Sequence, residues 1–369
     1  MSAAEDDARF MQEAIRMGLL HLGQTSTNPS VGCVIARDGQ IVGRGVTAIG
    51  GRPHAEPQAL AEAGELARGA TAYVTLEPCS HYGKTPPCAE ALIAYGVGRV
   101  VISVTDPDPR VSGRGIAMLR DAGIEVESGI LEKQGKRSLA AYLTRQTKNR
   151  PYVTLKLAVS ADGMIGRKGE GQVAITGPAA RAEVQKLRAE TDAILVGIGT
   201  AVADDPLLTV RTPGLKTRSP VRVVLDEHLL LPLDSKLVAT AKQVPLIVVA
   251  TEPPRFDNSE DKAFLARRDA LDQAGVEVVQ CNPNRLDELL PALASRGISS
   301  LVVEGGARTA KLFLDAGYVD RILLYQGPAV IGRDGIESPV TKTDMPSDLL
   351  HRGTFMFGDD RLDEYEREL

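Results

Sequence analysis

The sequence predicts an α/β protein built from two domains, and three observations support this. Its 369 residues exceed what one hydrophobic core usually organises. Strand-like apolar runs alternate with helical patterns in both halves of the chain. Between the halves, a basic and polar segment (residues 133–150) ends at Arg150-Pro151, where the proline breaks the pattern. We therefore expect domains at residues 1–150 and 151–369.

The composition predicts a soluble, cytoplasmic protein. A formal net charge of −5 with 25% charged residues gives no basic surface for nucleic acid, although a small anionic ligand is compatible with it. Four cysteines are too few for a disulfide scaffold. No stretch approaches the ~18 apolar residues of a membrane helix, and the acidic N-terminus is unlike a secretion signal.

The pattern of the first half predicts a hairpin followed by alternating helices and strands. A helix over residues 5–22 precedes two strands, 31–36 and 40–45, which the Asp38-Gly39 turn joins. The remaining elements are expected as helices at 54–66, 88–95 and 115–122 and strands at 73–76, 100–104 and 124–126. This order gives helices packed around one mixed sheet.

Three potential metal ligands and a carboxylate lie in this half, in His54-Ala55-Glu56, Pro78-Cys79 and Cys88. One imidazole and two thiolates are ligands of a catalytic Zn²⁺ that keeps its fourth position open for water. Glu56 is then placed to move protons to and from that water. The order H-x-E, then P-C and C, is typical of zinc deaminases that act on nucleobases, although eight residues rather than two separate the cysteines.

Two alternatives compete with this interpretation. A structural Zn²⁺ needs four protein ligands, and His81 is the candidate for the fourth, but Glu56 is then left without a task. We expect His81 to line the substrate pocket instead. A lone cysteine is usually a small buried apolar residue, and this is the expectation for Cys33 and Cys281.

The second half also alternates strands and helices, which predicts a mainly parallel sheet. A strand at 152–159 leads into the Ser160-Ala161-Asp162-Gly163 turn. Further strands are expected at 193–197, 221–225, 245–250, 276–279, 300–303, 321–325 and around 354–357, and helices at 180–190, 260–274, 285–296 and 307–316.

Two glycine turns in this half could hold a dinucleotide phosphate. Gly197-Ile198-Gly199-Thr200 and Gly305-Gly306-Ala307 each follow a strand, and the second opens a helix. Neither is G-x-G-x-x-G, so the residues alone do not predict a Rossmann fold, and glycine turns at strand ends are common. The acidic run Asp204-Asp205-Pro206 can equally be a simple turn before a strand.

The chain resembles the bifunctional riboflavin-biosynthesis deaminase/reductase family. In the first half, the motifs are Asn28-Pro29-Ser30-Val31-Gly32, His54-Ala55-Glu56, Asp106-Pro107-Asp108-Pro109 and the Pro78 to Cys88 segment with its Gly83-Lys84-Thr85-Pro86-Pro87 insertion. In the second half, they are Leu155-Lys156-Leu157, Ser160-Ala161-Asp162-Gly163, residues 199–211 and Val303-Glu304-Gly305-Gly306. The resemblance implies a cytidine-deaminase-like α/β/α sandwich followed by a dihydrofolate-reductase-like α/β domain.

The resemblance implies a zinc-dependent pyrimidine deaminase in residues 1–150. His54, Cys79 and Cys88 would bind Zn²⁺, and Glu56 would carry a proton from the zinc water to the leaving ammonia. The substrate would be 2,5-diamino-6-ribosylamino-4(3H)-pyrimidinone 5′-phosphate. Its implied contacts are Asn28, Ser80, His81 and Lys84.

In residues 151–369 the resemblance implies an NADPH-dependent reductase that converts the ribosyl group to a ribityl chain. The implied cofactor contacts are Val159, Ala174, Thr200, Asp204, Gly306, Ala307, Arg308 and Thr309. The implied substrate contacts are Lys156, Gln172, Arg188, Leu208, Arg211 and Glu304, with the arginines on the phosphate as forked donors. We also expect a homo-oligomer.

Three positions depart from the family pattern. Thr47 stands where the family often has His, Asp108 where it has Asn, and Ala174 where it tends to have Trp in a chain that contains no Trp. An aspartate is unfavourable beside a phosphate, so we expect no direct phosphate contact from Asp108. Three arginines are candidates for a 2′-phosphate contact, and their spacing does not choose among them: Arg181, Arg218 and Arg308.

Two other functions stay open at this point. One is a zinc deaminase of another base or nucleoside, joined to a nucleotide-binding domain without redox activity, which the missing Trp favours. The other is a non-catalytic binding protein with a structural Zn²⁺.

Overall fold

The computed structural model describes residues 3–83, 85–251 and 259–368, and Lys84 lies outside these ranges. The described residues form two compact units that divide between Asn149 and Arg150, each with its own sheet. Within the described ranges, every helix is too short or too polar to cross a lipid bilayer. Short 3-10 turns lie at Leu19–His21, Ile49–Gly51, Gly64–Ala67 and Lys216–Arg218.

The first unit contains a five-stranded mixed sheet. Its strands are β1 (Gly32–Arg37), β2 (Gln40–Val46), β3 (Thr71–Leu76), β4 (Arg99–Val104) and β5 (Glu125–Ser128). Its helices are α1 (Ala3–Gly18), α2 (Ala55–Ala63), α3 (Cys88–Ala94), α4 (Arg114–Asp121), α5 (Glu132–Ser138) and α6 (Ala140–Lys148). The strand order is β2-β1-β3-β4-β5, antiparallel up to β3 and parallel from β3 to β5.

Both faces of this sheet are covered, which explains the unbroken apolar run of β1. Cys33 and Ile35 face a cluster that includes residues of α2 and α3. Val34 and Ala36 point the other way and pack against α1. This arrangement confirms the predicted α/β sandwich.

Two glycines let α2 approach β2 closely. A Cβ at Gly45 would lie 2.0 Å from the carbonyl oxygen of Ala55, and one at Gly43 would lie 2.1 Å from that of Ala59. Any larger residue would therefore push the helix away from the sheet. Because α2 begins directly after His54, these contacts fix where the imidazole and Glu56 lie.

The second unit is built on a nine-stranded sheet. The strands of this unit, nine in the main sheet and two in a separate pair, are β6 (Tyr152–Val159), β7 (Met164–Arg167), β8 (Ala193–Gly197), β9 (Val221–Leu225), β10 (Leu246–Ala250), β11 (Glu277–Gln280), β12 (Ser300–Val303), β13 (Arg321–Gln326), β14 (Gly335–Glu337), β15 (Leu349–Phe357) and β16 (Asp360–Arg367). Its helices are α7 (Pro178–Ala189), α8 (Ile198–Asp204), α9 (Lys236–Ala239), α10 (Ser259–Gln273), α11 (Leu286–Ser295) and α12 (Ala307–Asp315). The strand order is β11-β10-β9-β8-β12-β6-β13-β16-β15, and β7 pairs with β14 separately.

The strand order creates a crevice at the carboxyl ends of β8 and β12. From β8 the chain adds β9, β10 and β11 outward and then returns to place β12 between β8 and β6. The seven neighbouring strands β11-β10-β9-β8-β12-β6-β13 are parallel, as predicted. The last two strands, β16 and β15, are antiparallel to their neighbours. Open parallel sheets bind ligands at such a reversal point.

Two segments differ from the simplest interpretation of the sequence. Much of the polar stretch at 133–150 is helical, in α5 and α6, and Tyr142 and Leu143 are buried there. The sheet also contains β16, which was not predicted because its many charged residues are typical of a solvent-exposed segment. Its Asp363 and Glu364 are nevertheless buried, because Lys342 and Arg321 pair with them.

A buried ion pair joins the start of the second unit to its sheet. Arg150 donates from Nη1 and Nη2 to the two carboxylate oxygens of Asp320, at 2.6 and 2.8 Å. Asp320 also accepts the N–H of Val153 at 2.9 Å. The two side chains are 10% and 2% exposed, so loss of one charge leaves the other buried and unpaired.

We predict that Asp320→Asn lowers the free energy of unfolding by about 3 kcal/mol or more. Urea unfolding followed by circular dichroism measures this. The matched control is Asp287→Asn, which removes an exposed pair with Arg285 and should change stability by less than about 0.5 kcal/mol. Equal effects of the two substitutions would contradict the prediction.

Candidate active sites

Three elements of the first unit bring His54, Cys79 and Cys88 together. His54 is the residue before the first turn of α2, Cys79 lies in the loop after β3, and Cys88 is the first residue of α3. Strand β3 and both helices pack in one core, so the ends that carry these residues converge. The described residues between the cysteines, 80–83 and 85–87, lie outside helices and strands, and the chain is back at the metal site at Cys88.

The geometry fits a Zn²⁺ ion. The Nδ1 atom of His54 lies 3.3 Å from Sγ of Cys88 and 3.8 Å from Sγ of Cys79, and all three ligand atoms lie within 4.8 Å of one another. Ligands about 2.0 to 2.3 Å from one tetrahedral ion are themselves about 3.5 to 3.8 Å apart. The side chains are therefore already spaced for a single ion.

The site favours thiolate at Cys79. Hydrogen bonds from Cys88 lower the pKa of the Cys79 thiol well below its usual range, against the effect of burial, and His54 adds to the lowering. One of these bonds comes from the backbone N–H of Cys88, 3.3 Å from Sγ, at the start of α3. The hydrogen bond between the two cysteine side chains raises the pKa of the Cys88 thiol, and burial raises it further. A zinc ligand must be deprotonated, so metal binding has to displace the proton that remains on Cys88.

Glu56 is the second residue of α2 and is 3% exposed. Burial raises the pKa of its carboxyl group, the charge of Cys79 raises it further, and His54 opposes the shift. A buried carboxylate beside a metal-bound water can take up a proton from it and release that proton again. Glu56 thus has the properties of a proton carrier beside the metal site.

His81 is not part of the metal cluster. Among the described residues, only His54, Cys79 and Cys88 form a group of His, Cys, Asp or Glu side chains close enough for a shared ion. Three protein ligands leave one tetrahedral position for water, as in a catalytic zinc site. The Nδ1 atom of His81 is buried without a hydrogen-bond partner in the described structure, so it has a free polar atom for a ligand.

The other implied contacts of this half lie on nearby loops. The side-chain amide of Asn28 lies against Gly51, three residues before His54, and Ser80 follows Cys79 directly. Lys84 is outside the described residues. Asp108 is paired with Arg110, which donates from Nε at 3.0 Å and Nη2 at 2.5 Å, so its negative charge is compensated within the loop.

The crevice of the second unit is a cleft of about 970 Å³, and two glycine turns form its middle. A Cβ at Gly197 would lie 2.4 Å from Oγ1 of Thr309, and the hydroxyl of Thr200 accepts the N–H of Gly306 at 3.1 Å. The turns after β8 and β12 are therefore locked together. Helices α8 and α12 begin there, and their N-terminal N–H groups can bind phosphate oxygens.

A buried charged cluster lies beside these turns. Arg188 donates from Nε and Nη2 to the two oxygens of Glu304, at 2.8 and 3.0 Å, and Nζ of Lys156 is 3.9 Å from the same carboxylate. Burial opposes ionisation of Glu304, but the charges of Arg188 and Lys156 outweigh it and lower its pKa. Burial lowers the pKa of Lys156, and Glu304 acts against that shift.

The structure brings most of the implied reductase residues to the cleft. Those that line it are Lys156, Gln172, Thr200, Asp204, Glu304, Gly306, Ala307, Arg308 and Thr309. Five others do not line it: Val159, Ala174, Arg188, Leu208 and Arg211. Val159 and Leu208 are buried in hydrophobic clusters, Arg188 reaches the cleft through Glu304, and Ala174 and Arg211 are exposed.

One wall of this cleft is formed by residues that the sequence did not predict. Glu227, His228 and Asn284 line it, but none was among the candidates. A signal was available for the first two, because they follow β9, the neighbour of β8, at the carboxyl edge of the sheet. Asn284 has no such signal, since its loop reaches the cleft only through the fold.

Two family models match the chain. The RibD C-terminal domain matches residues 151–360, and the cytidine and deoxycytidylate deaminase zinc-binding region matches residues 4–104. The second match contains His54, Cys79 and Cys88. One match lies in each unit.

Whole-chain relatives agree with these matches. The riboflavin biosynthesis protein RibD of Aquifex aeolicus is 40% identical over 89% of this chain and 88% of its own length, and that of Haemophilus influenzae is 41% identical with the same coverage. A solved structure of Acinetobacter baumannii RibD covers 98% of this chain and 99% of its own, with a TM-score of 0.86 at 35% identity. The diaminohydroxyphosphoribosylaminopyrimidine deaminase/5-amino-6-(5-phosphoribosylamino)uracil reductase of Thermotoga maritima covers 99% and 100%, with a TM-score of 0.86 at 32% identity.

We predict that Cys88→Ser removes the metal from the first unit, because a serine hydroxyl is a poor zinc ligand at neutral pH. The purified protein should fall from about one Zn²⁺ per chain to nearly none, measured by elemental analysis. The control, Cys281→Ser, changes a half-buried thiol of the second unit and should retain full zinc. Full zinc in the Cys88 variant would refute the assignment.

Proposed function

The chain belongs to the RibD family of riboflavin biosynthesis proteins, and from this premise we propose how its residues divide the work. The protein is a bifunctional deaminase and reductase. Residues 1–150 form the zinc-dependent pyrimidine deaminase, and residues 151–369 form the NADPH-dependent reductase. The observation that carries this division is the His54, Cys79 and Cys88 cluster beside buried Glu56, in a different unit from the cleft with the glycine turns.

The deaminase half replaces an amino group of the pyrimidine with oxygen from water and releases ammonia. His54, Cys79 and Cys88 hold Zn²⁺, which when bound supplies the Lewis acidity that makes a water nucleophilic near neutral pH. Glu56 carries the proton. Its carboxylate oxygen accepts a proton as the water attacks and donates one to the departing amino nitrogen. The position of Glu56 supports this double role, because its buried carboxyl group lies beside His54, Cys79 and Cys88.

Contacts in the deaminase half hold the phosphorylated substrate, 2,5-diamino-6-ribosylamino-4(3H)-pyrimidinone 5′-phosphate. We assign Asn28, Ser80, His81 and Lys84 to it. The free Nδ1 of His81 supports this assignment. Asp108 is not included, because its carboxylate already binds Arg110.

The reductase half converts the ribosyl group of the deaminated product to ribityl. NADPH supplies the hydride, and the second half binds it across the two locked glycine turns. Thr200, Asp204 and residues 306–309 are the proposed cofactor contacts, and all of them line the cleft. Val159 and Ala174 stay predictions from the family resemblance.

Lys156, Gln172 and Glu304 are the proposed substrate contacts beside the cofactor, and a direct phosphate contact by Arg188 stays a prediction because its guanidinium is bound to Glu304. The Lys156 ammonium lies in the cleft next to Glu304 and can donate a hydrogen bond to an oxygen of the sugar. Arg188 keeps Glu304 ionised and oriented, since it holds both carboxylate oxygens. Roles for Leu208 and Arg211, association into a homo-oligomer and a cytoplasmic location stay predictions.

We predict that the purified protein, given the diamino-pyrimidinone phosphate, releases ammonia and then consumes NADPH. A coupled assay that follows ammonia and NADPH absorbance together tests this. Glu56→Gln should keep its zinc and lose roughly 10²-fold or more of the ammonia release, because the proton carrier is gone. Supplying the deaminated intermediate should restore NADPH consumption to that variant, and failure of the wild-type protein to consume NADPH would contradict the reductase assignment.

We further predict that Lys156→Gln slows NADPH consumption by roughly 10- to 100-fold, because a charge-assisted hydrogen bond to the substrate is lost. Ammonia release from the other unit should not change, and it serves as an internal control. Lys168→Gln alters an exposed lysine outside the cleft and should leave both activities intact. An unchanged reductase rate in the Lys156 variant would remove Lys156 from the site.

A further inference from the structure

The adenosine end of the reductase cleft can be located from the sheet. The glycine turns after β8 and β12 line the cleft, and α12 begins after the second with N–H groups that can bind a pyrophosphate, the centre of a dinucleotide. The N–H of Gly306 is not among them, because it is bonded to Thr200. Lys156 is on β6, on one side of these turns, whereas Glu227 follows β9, on the other. Three strand spacings, or about 14 Å, separate them. If the nicotinamide lies beside Lys156 and Glu304, the adenosine lies beside Glu227, His228 and the exposed face of α12.

NADPH and NADH differ only by a 2′-phosphate on the adenosine ribose. That phosphate carries negative charge at neutral pH and needs a cationic side chain, most often arginine. A carboxylate at this position favours NADH instead, because it accepts the ribose hydroxyl and repels the phosphate. Glu227 is such a carboxylate, and the nearby Asn284 amide is 3.5 Å from its Oε2. A preference for NADPH therefore requires a cation whose charge is not already used.

The lysines and arginines that line the cleft differ in this respect. Lys156 is engaged by Glu304, Arg167 by Glu170 and the carbonyl of Ile331, and Lys311 by Asp315. Arg308 lines the cleft on the first turn of α12, one helical turn before Lys311, and is exposed. Within the described ranges, Arg308 has no hydrogen-bond or ion-pair partner.

The other two candidate arginines do not reach the cleft. Arg181 donates from Nη1 to the carbonyl of Thr176 at 3.0 Å, and Arg218 is in the 3-10 turn before β9. Neither lines the cleft in the described structure.

We propose that Arg308 binds the 2′-phosphate of NADPH and outweighs Glu227, so that this one side chain sets the cofactor preference of the chain. This rests on the proposed reductase function. Arg308 is a specificity residue rather than part of the hydride-transfer step, because it lies at the adenosine end of the cleft. The assignment gives the first turn of α12 two tasks, with backbone N–H groups on the pyrophosphate and a side chain on the 2′-phosphate.

The test compares two small probes that differ by that phosphate alone, adenosine 2′,5′-bisphosphate and adenosine 5′-monophosphate. Their affinities for the full-length protein are measured by titration calorimetry. Arg308→Gln should weaken binding of the bisphosphate by roughly 10- to 100-fold and leave binding of the monophosphate within about twofold. The matched control is Arg181→Gln, which should leave both affinities unchanged.

Steady-state kinetics gives a second readout. In the Arg308 variant, the ratio of kcat/KM for NADPH to that for NADH should fall by a similar factor, through KM for NADPH, while kcat and ammonia release are kept. Unchanged bisphosphate affinity in Arg308→Gln, or a loss in Arg181→Gln instead, would overturn the assignment and leave the reductase standing. A wild-type protein that binds neither probe and does not oxidise NADPH would overturn the proposed reductase function together with it.

Discussion

Both sites depend on contacts that only glycine permits. In the first unit, Gly43 and Gly45 let α2 lie on β2 with backbone against backbone, and this fixes His54 relative to the loop after β3. In the second unit, the hydroxyl of Thr309 packs where a side chain of Gly197 would be, and this contact holds the turn after β8 close to the start of α12. In each case the lack of a glycine side chain lets two segments that are far apart in the sequence approach within van der Waals contact. The metal ligands of the first unit and the two glycine turns of the second are positioned by these close contacts.

Buried carboxylates show how surroundings assign roles to one kind of group. Glu56 is buried, and the side chain of Glu304 is only 11% exposed. Burial and a neighbouring thiolate raise the pKa of Glu56, whereas two cations lower that of Glu304 in spite of its burial. The first lies beside the metal ligands and is placed to carry a proton, and the second stays charged and orders the side chains around it. One chain thus uses the same functional group as a proton carrier in one half and as a fixed charge in the other.

The sequence predicted those parts of the structure that depend on local patterns. The α/β class, the hairpin and most strands followed from apolar periodicity, and the His54, Cys79 and Cys88 set followed from residue types and spacing. The strand β16 could not be found in this way, because the ion pairs that let Asp363 and Glu364 be buried come from distant parts of the chain. For the same reason, Asn284 was missed, and no spacing could separate Arg308 from Arg181. The burial of β16 and the position of these side chains depend on residues that are distant in the sequence, which no local pattern reveals.

The long connection between the two cysteines has a consequence for the lifetime of the protein in the cell. Tyr82, Gly83, Thr85 and Pro86 are exposed, and the two ends of their loop are drawn together at the metal ligands. Closing a loop costs conformational entropy, and an ion that binds only the closed form offsets this in proportion to the logarithm of its free concentration. The concentration of free zinc therefore affects how often this loop opens and becomes accessible to proteases. Removal of zinc would then make this loop easier to cleave, in addition to stopping deamination.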